Sequence, residues 1–211
     1  MKAPEDFAPF ISVQEYLAQE ELALEKHEYS NGRIYAMAGG SPAHAEIMAN
    51  VAGSFVPRLR GHRCRGASAD QRIKIEAANI WTYPDFIVKC PPERYAENDR
   101  NSLVNPALVV EVLSPSTEKY DRDEKFALYA QIPELQDYLL VAQNRVLVEH
   151  FQRGENESWI LRRLAKRDDV LKLTNLEIEI PVGEFYDGLD VPEGLLMIHS
   201  QAQSPPQQTT V

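Results

Sequence analysis

The stretch Ala107-Leu108-Val109-Val110-Glu111-Val112-Leu113 decides how this chain is expected to fold. A nearly continuous apolar run is typical of a strand that is covered on both faces of its sheet. Glu111 lies inside this run, between two valines. Burying an unpaired charge costs on the order of several kcal/mol, so this carboxylate must be protonated or matched by a cation or a metal. The alternative is an ordinary glutamate at a strand end, paired with a surface arginine.

A second carboxylate stands at the entrance of the preceding apolar strand. Tyr83-Pro84-Asp85 leads into Phe86-Ile87-Val88, and the proline biases the residue before it toward extended backbone. Taken alone, this Pro-Asp pair also fits an ordinary turn. Sequential strands neighbour each other about two-thirds of the time, so Asp85 and Glu111 are expected to face each other. Two hard oxygen ligands, with the other coordination positions open to water, suit Mg²⁺ or Mn²⁺. Such an ion activates water and neutralises charge on a phosphoryl group.

Helices are predicted before and after these strands. Capping patterns at Ser12, Ser41 and Asp121 open three of them. The expected spans are 13–26, 42–60 and 122–131. We expect all three helices to cover a central mixed sheet that has residues 107–113 in its middle.

Further strands are predicted from alternating or apolar runs. Asn31-Gly32 between two short runs predicts a hairpin. Residues 91–106 are polar and predict a loop. The remaining strands are expected at 72–76, 86–88, 137–142, 146–151, 159–164 and 176–180.

The composition favours one α/β domain over residues 1–198, followed by a disordered tail at 199–211 that carries no charge. No stretch approaches the roughly 20 apolar residues of a membrane helix. The first residues lack the pattern of a signal peptide, so the expected compartment is the cytoplasm. A net charge of −10 argues against a protein that coats DNA, although a local basic cleft is still compatible with it.

Two cysteines, Cys64 and Cys90, are far apart and lack CxxC spacing. Neither a thiolate zinc site nor a disulfide framework is expected, and a single bond between them is the minor alternative. Two basic clusters could contact phosphates, although solvated surface is the favoured reading of both. The first cluster consists of Arg58, Arg60, His62, Arg63 and Arg65. The second consists of Arg162, Arg163, Lys166 and Arg167.

Four segments of the chain closely resemble the Uma-two family of putative restriction endonucleases, within the PD-(D/E)XK nuclease superfamily. The resemblance covers roughly residues 10 to 190. Its most specific block is Glu-Val-Leu-Ser-Pro-Ser-Thr at 111–117, with Asp121 and Lys125 behind it. The four segments are HEYSNGRIYAMAGGSPAHAEIMANV (27–51), YPDFIVKC (83–90), LVVEVLSPSTEKYDRDEKFALYAQIPELQDYLLV (108–141) and LEIEIPVGEFYDGL (176–189).

The resemblance implies a restriction-endonuclease-like α/β fold, with a central mixed β-sheet flanked by α-helices. It implies that Asp85 and Glu111 bind the metal. Glu28 matches the upstream acid of the family, as a further metal ligand or as a group that orients metal-bound water. Its alternative is an exposed hairpin glutamate. His44 and Asp70 are lesser candidates, His44 as a residue that supports a ligand.

One position departs from the superfamily pattern, which places a lysine two residues after the strand glutamate. Here that residue is Leu113. We expect Lys125 to replace it, with its ammonium in direct or one-water contact with the Glu111 carboxylate. The alternative is that Lys125 only pairs with Asp121, four residues before it on the helix.

The leading hypothesis is therefore a Mg²⁺- or Mn²⁺-dependent endonuclease that hydrolyses DNA phosphodiester bonds with metal-activated water. Asp85, Glu111 and Lys125 would be its catalytic residues, and Glu28, Asp85 and Glu111 its metal ligands. One alternative is an inactive binding or regulatory protein of the same fold, which the net charge and Leu113 favour. Another is a metal-dependent hydrolase of a different substrate. No segment identifies a homodimer interface, although homodimers are common.

Overall fold

The computed structural model describes residues 9–37, 39–114 and 118–194. The tail predicted at 199–211 lies outside the described residues. Within them, the strands form two six-stranded sheets and one two-stranded sheet. Among the same residues, no helix is both long and apolar enough to cross a membrane.

The central sheet is built around the apolar stretch from which the fold was predicted. That stretch forms one long strand, parallel to one neighbour and antiparallel to the other, so the sheet is mixed as predicted. The strand that follows Asp85 is the antiparallel neighbour, which confirms that part of the prediction. The strand order is β12 (Trp159–Leu164), β11 (Val148–Arg153), β10 (Asp137–Ala142), β9 (Pro106–Leu113), β6 (Phe86–Lys89) and β3 (Arg65–Ser68).

Helix α2 (Pro42–Arg58) covers one face of this sheet. The Ser41 hydroxyl caps its first turn. The helix ends one residue after Pro57, which cannot donate a backbone hydrogen bond to the carbonyl of the preceding turn. Its buried residues pack on alternate positions of β6 and β9, as the two-residue period of a strand requires. The packed side chains are Ile47, Val51, Phe55, Phe86, Val88, Leu108 and Val110.

The opposite face is covered by a short helical segment after β9. It consists of α3 (Glu118–Tyr120), a π-helical turn (Asp121–Lys125) and α4 (Phe126–Tyr129). Tyr129 packs there with Leu113 and Tyr138. The predicted span of 122–131 begins four residues late because the cap assigned to Asp121 lies inside the helical segment.

A second sheet lies beside the central one and contains the predicted Asn-Gly hairpin. Its strand order is β2 (Arg33–Ala36), β1 (His27–Ser30), β5 (Ile80–Thr82), β4 (Arg72–Ile75), β8 (Asp99–Leu103) and β7 (Tyr95–Ala96). The loop predicted at 91–106 is wrong, because β7 and β8 pair within it. The buried polar side chains Asp99 and Ser102 bind Arg72, so this strand lacks the apolar pattern that predicts one.

Helix α1 (Val13–Glu20) packs on the second sheet. Its buried Tyr16 contacts Tyr29 and Trp81, so the prediction that this helix covers the central sheet is wrong. The helix also ends six residues before the predicted Lys26. The Glu20 carboxylate accepts hydrogen bonds from the His27 backbone and the Tyr83 hydroxyl, which draws the chain into β1.

A disulfide joins Cys64 and Cys90, contrary to the favoured expectation. Arg65 pairs with Lys89 across β3 and β6, so the next residues outward are the two cysteines. Strand pairing brings them together, and their separation in sequence did not indicate it. The last two strands, β13 (Val170–Leu173) and β14 (Ile178–Pro181), form the two-stranded sheet, and β13 was not predicted.

Candidate functional site

Asp85 and Glu111 lie on the same face of the central sheet. Phe86 is the register partner of Val110, so one step further along the pair Asp85 stands opposite Glu111. Opposed residues of an antiparallel pair point to the same face. The Asp85 Oδ2 atom also accepts a hydrogen bond of 2.7 Å from the Val112 backbone N–H. The two carboxylates therefore meet where β6 begins and β9 ends.

Glu111 is buried, with 5% of its surface exposed. Its Oε1 atom lies 2.9 Å from the Lys125 ammonium and accepts a hydrogen bond of 2.9 Å from the Tyr129 hydroxyl. Burial raises the pKa of Glu111 to about 8; Lys125 opposes this rise, whereas Asp85 and Asp121 add to it. The alternative of a surface pair with an arginine is wrong, because its partner is a buried lysine.

Lys125 confirms the contact predicted for it. Its Nζ atom lies 2.9 Å from Glu111, 3.6 Å from Glu28 and 3.8 Å from Asp121. Burial acts to lower the pKa of Lys125, but the three surrounding carboxylates outweigh it and raise that pKa well above its usual value. The ammonium is therefore a fixed positive charge among acids, and its pairing with Asp121 is the longest of the three.

Glu28 reaches the same cluster from the second sheet. It lies on β1, and the Thr82 hydroxyl of β5 donates a hydrogen bond of 2.5 Å to its Oε1 atom. The same oxygen faces Lys125. Glu28 is thus not merely an exposed hairpin residue, since it links the second sheet to the helical segment that carries Lys125.

The two lesser candidates separate in the structure. His44 lies in the first turn of α2, with its Nε2 atom 3.3 Å from Asp85 Oδ2. The hydrogen bond with Asp85 raises the pKa of His44, against the lowering by burial. Asp70 is largely exposed, pairs with Lys26 and does not line the pocket at this site.

A pocket of about 450 Å³ opens over these side chains. It is lined by all four predicted site residues, Glu28, Asp85, Glu111 and Lys125, and by His44. Sequence reasoning missed Tyr35, Tyr120 and Gln143, which also line it. It gave Asp121 as a helix cap and as an alternative partner of Lys125 but not as a site residue, although Asp121 is buried beside Lys125 and lines the pocket. The capping pattern was misleading, because Asp121 lies inside the helical segment rather than at its start.

The donor set fits a hard divalent cation. Asp85 and Glu111 supply two opposed carboxylates. Burial is the main cause of the raised pKa of Glu111, and repulsion from Asp85 adds to it; a bound cation would favour the ionised carboxylate against both. Among the described residues, no three His, Cys, Asp or Glu side chains already form a metal-ligating group. Mg²⁺ is usually held by one or two carboxylates and keeps several waters, so two protein ligands suffice.

The basic clusters do not line this pocket. Arg58 pairs with Glu184, and Arg163 pairs with Glu149. Arg167 donates to the backbone oxygens of Tyr186 and Leu189. These three arginines make local contacts within the fold, and no residue of either cluster lines the pocket.

Comparison with known proteins gives the chain a family and a fold. A family model described as "Uma2: Putative restriction endonuclease" matches residues 13–183. The uncharacterized Synechocystis protein slr1290 is 41% identical over 187 residues, which cover 86% of this chain and 95% of that protein. A second uncharacterized Synechocystis protein, sll1609, is 31% identical over 168 residues, covering 80% of this chain and 95% of its own length.

A solved structure shares the architecture. It is described as the crystal structure of "a putative nuclease belonging to DUF820" from Anabaena variabilis. It matches with a TM-score of 0.67 at 16% identity, covering 84% of this chain and 98% of that chain. At this identity the likeness concerns the fold, which is α/β and restriction-endonuclease-like as predicted.

Proposed function

Because the chain belongs to the Uma2 family of putative restriction endonucleases, we propose that it is a Mg²⁺- or Mn²⁺-dependent endonuclease acting on DNA phosphodiester bonds. The family description supports a nuclease-like function. One observation carries the finer proposal: Asp85 and Glu111 stand opposite each other in a pocket, with the Lys125 ammonium against Glu111.

The metal ion, when bound, would supply activation of water and neutralisation of phosphoryl charge. Asp85 and Glu111 would hold it, with Glu28 as a further ligand or as a group that orients water. The Val112 N–H and His44 both face Oδ2 of Asp85. The orientation of this carboxylate is thus set by the protein before any ligand arrives, which is what a precise site requires.

Lys125 would stabilise the negative charge that develops on the phosphoryl oxygens. The superfamily position for this lysine is taken by Leu113, which is buried among apolar residues. Lys125 reaches the strand glutamate from the π-helical turn instead. The positive charge beside the strand glutamate therefore comes from a different secondary-structure element than in the superfamily pattern.

The competing proposal is an inactive relative that binds nucleic acid or regulates another protein. Its support is the net charge of −10 and the engagement of Lys125 by three carboxylates. An inactive relative would keep the fold and fail to cleave DNA with any divalent metal.

Cleavage of supercoiled plasmid DNA, titrated with Mg²⁺ and Mn²⁺, separates the two proposals. We expect metal-dependent conversion to nicked or linear DNA by the wild type and none by Asp85→Ala. Asp70→Ala is the matched control, because this aspartate is exposed and outside the pocket. Equal activity of wild type and Asp85→Ala, or no cleavage of plasmid or of single-stranded DNA by the wild type with either metal, would overturn the endonuclease proposal.

A further inference from the structure

Two of the nine tyrosines differ from the rest in what their hydroxyl groups contact. Within the described residues, seven tyrosine hydroxyls donate a hydrogen bond to another residue. The exceptions are Tyr35 and Tyr120, and neither ring stacks on another aromatic ring of the described chain. Both line the pocket of Asp85 and Glu111. These two tyrosines are therefore not explained by packing or by hydrogen bonding within the fold.

Tyr35 faces the pocket because of its strand register. It is the partner of Glu28 across the hairpin, and opposed residues share a face. The alternate residues Tyr29 and Ile34 point the other way, into the cluster with Trp81. Half of the Tyr35 surface is exposed, which is a large exposure for an aromatic residue beside a buried ionic cluster.

Tyr120 approaches the same cluster from the helical segment that precedes the π-turn. It is 39% exposed. Burial of the rest of the side chain raises the pKa of its hydroxyl, and the Glu28 charge adds to the rise. Tyr35 and Tyr120 thus lie on two different elements with Glu28 near both.

The charge around the pocket disfavours a closed duplex. Among the described residues that line it, Glu28, Asp85, Glu111 and Asp121 are acidic, and Lys125 and His44 are the basic side chains. Proteins that grip duplex DNA neutralise several phosphates with lysines and arginines. Aromatic faces offer another source of affinity, because an unpaired base stacks on them whatever its sequence.

We propose that Tyr35 and Tyr120 form a stacking platform for unpaired bases, so that the substrate is DNA with single-stranded nucleotides at the scissile phosphate. The proposal rests on the endonuclease function and adds its substrate class. In a duplex the base faces are covered by their neighbours, so the platform would select strands that are open or frayed.

Fluorescence anisotropy with a labelled twelve-nucleotide strand and its blunt duplex tests this proposal in CaCl₂. We expect the single strand to bind at least about tenfold more tightly than the duplex. Tyr35→Ala and Tyr120→Ala should each weaken its binding by about 5- to 150-fold, the loss for one stacked base. Tyr35→Phe and Tyr120→Phe should bind the single strand as tightly as the wild type does, since the aromatic ring is kept. Tyr95→Ala is the control, because Tyr95 is as exposed as Tyr120 but is hydrogen-bonded to Glu93 and lies outside the pocket.

A 2-aminopurine base in the strand gives a direct measure of stacking. Its fluorescence should be quenched by the wild type and both Phe variants, and less by either Ala variant. Equal affinity for strand and duplex, or Ala variants that bind as the wild type does, would overturn the proposal. Metal-dependent plasmid cleavage by the same preparation would then leave the endonuclease function standing. Binding of the strand that depends on both tyrosines, without cleavage by the same preparation, would instead support the stacking platform and overturn the endonuclease function.

Discussion

Two buried ionic clusters of this protein differ in their balance of charge. In the second sheet, Arg72 lies 2.7 Å from Asp99, donates to the Ser102 hydroxyl at 2.9 Å and contacts the Tyr83 hydroxyl at 3.2 Å. Arg72 and Asp99 pair their opposite charges, and the Ser102 and Tyr83 hydroxyls accept two further hydrogen bonds from Arg72. The neighbouring Glu20, which accepts a hydrogen bond from Tyr83, has its own partner in His27. Such a cluster is complete without a ligand.

The pocket of the central sheet holds one ammonium and an excess of acids. Lys125 lies within 4 Å of Glu111, Glu28 and Asp121, and Asp85 stands opposite Glu111. Lys125 and, when protonated, His44 supply at most two positive charges against four carboxylates, so the pocket keeps an excess of negative charge that a proton or another cation would reduce. The comparison teaches that burial of charge alone does not mark a functional site. Under the proposed function, it is the excess of negative charge that distinguishes the pocket from the cluster of Arg72.

The largest expected effect on stability belongs to the balanced cluster. Asp99→Asn leaves Arg72 buried without its counter-charge, and breaking one partner of a buried pair costs about 3–5 kcal/mol. Denaturant unfolding measures this loss. Glu179→Gln, in the exposed pair with Lys172, should cost less than about 1 kcal/mol. A loss of stability below about 1 kcal/mol for Asp99→Asn would mean that charge pairing does not stabilise the cluster of Arg72, and would contradict the comparison.

Lys125→Ala should act on cleavage more than on metal binding. Loss of a charge that stabilises the reacting phosphoryl group typically costs about 10²–10³-fold in rate. The rise in melting temperature caused by Mg²⁺ should largely remain, because Asp85 and Glu111 are intact. Lys125→Arg should restore only part of the rate, since a planar guanidinium does not replace a compact ammonium. Full activity of Lys125→Ala would remove this residue from the catalytic set.

The raised pKa of Glu111 should appear in the pH dependence of stability, as an effect smaller than those of Asp99→Asn and Lys125→Ala. The folded pKa of Glu111 is raised to about 8, so the folded state binds its proton more tightly than the unfolded state does. Its contribution to stability is complete below its ordinary pKa of 4.5 and is lost as the pH rises to about 8. Without metal, the wild type should therefore lose more stability between pH 5 and 8 than Glu111→Gln. Parallel melting curves for the two proteins would contradict the raised pKa.

The central strand and its two carboxylates could be predicted from sequence because their signals are local. An apolar run with one internal glutamate is visible in seven residues, and Asp85 follows from the strand before it. The resemblance supplied Glu28 and directed attention to Lys125, which the structure places against Glu111. Cytoplasmic location and a homodimer stay predictions, as do the roles of the site residues.

The parts that could not be predicted depend on contacts between distant segments. Strand β8 is polar because its side chains bind Arg72, so no apolar pattern reveals it. The Cys64–Cys90 bond follows from the register of β3 with β6. Tyr35 and Tyr120 meet at the pocket only after the hairpin and the helical segment pack together, and neither belongs to a motif that indicates a site.

Melting of the metal-free protein with increasing Mg²⁺ tests the central claim most directly, because it needs no DNA. If the unmatched carboxylates bind the ion, the wild type should be stabilised by about 2.7 kcal/mol at a concentration one hundred times the dissociation constant. Glu111→Gln keeps the size of the side chain and removes the charge, so its shift should be much smaller. Asp99→Asn should show the wild-type shift from a lower starting temperature. No shift in the wild type with Mg²⁺ or Mn²⁺, or an equal shift in Glu111→Gln, would contradict a metal site at Asp85 and Glu111.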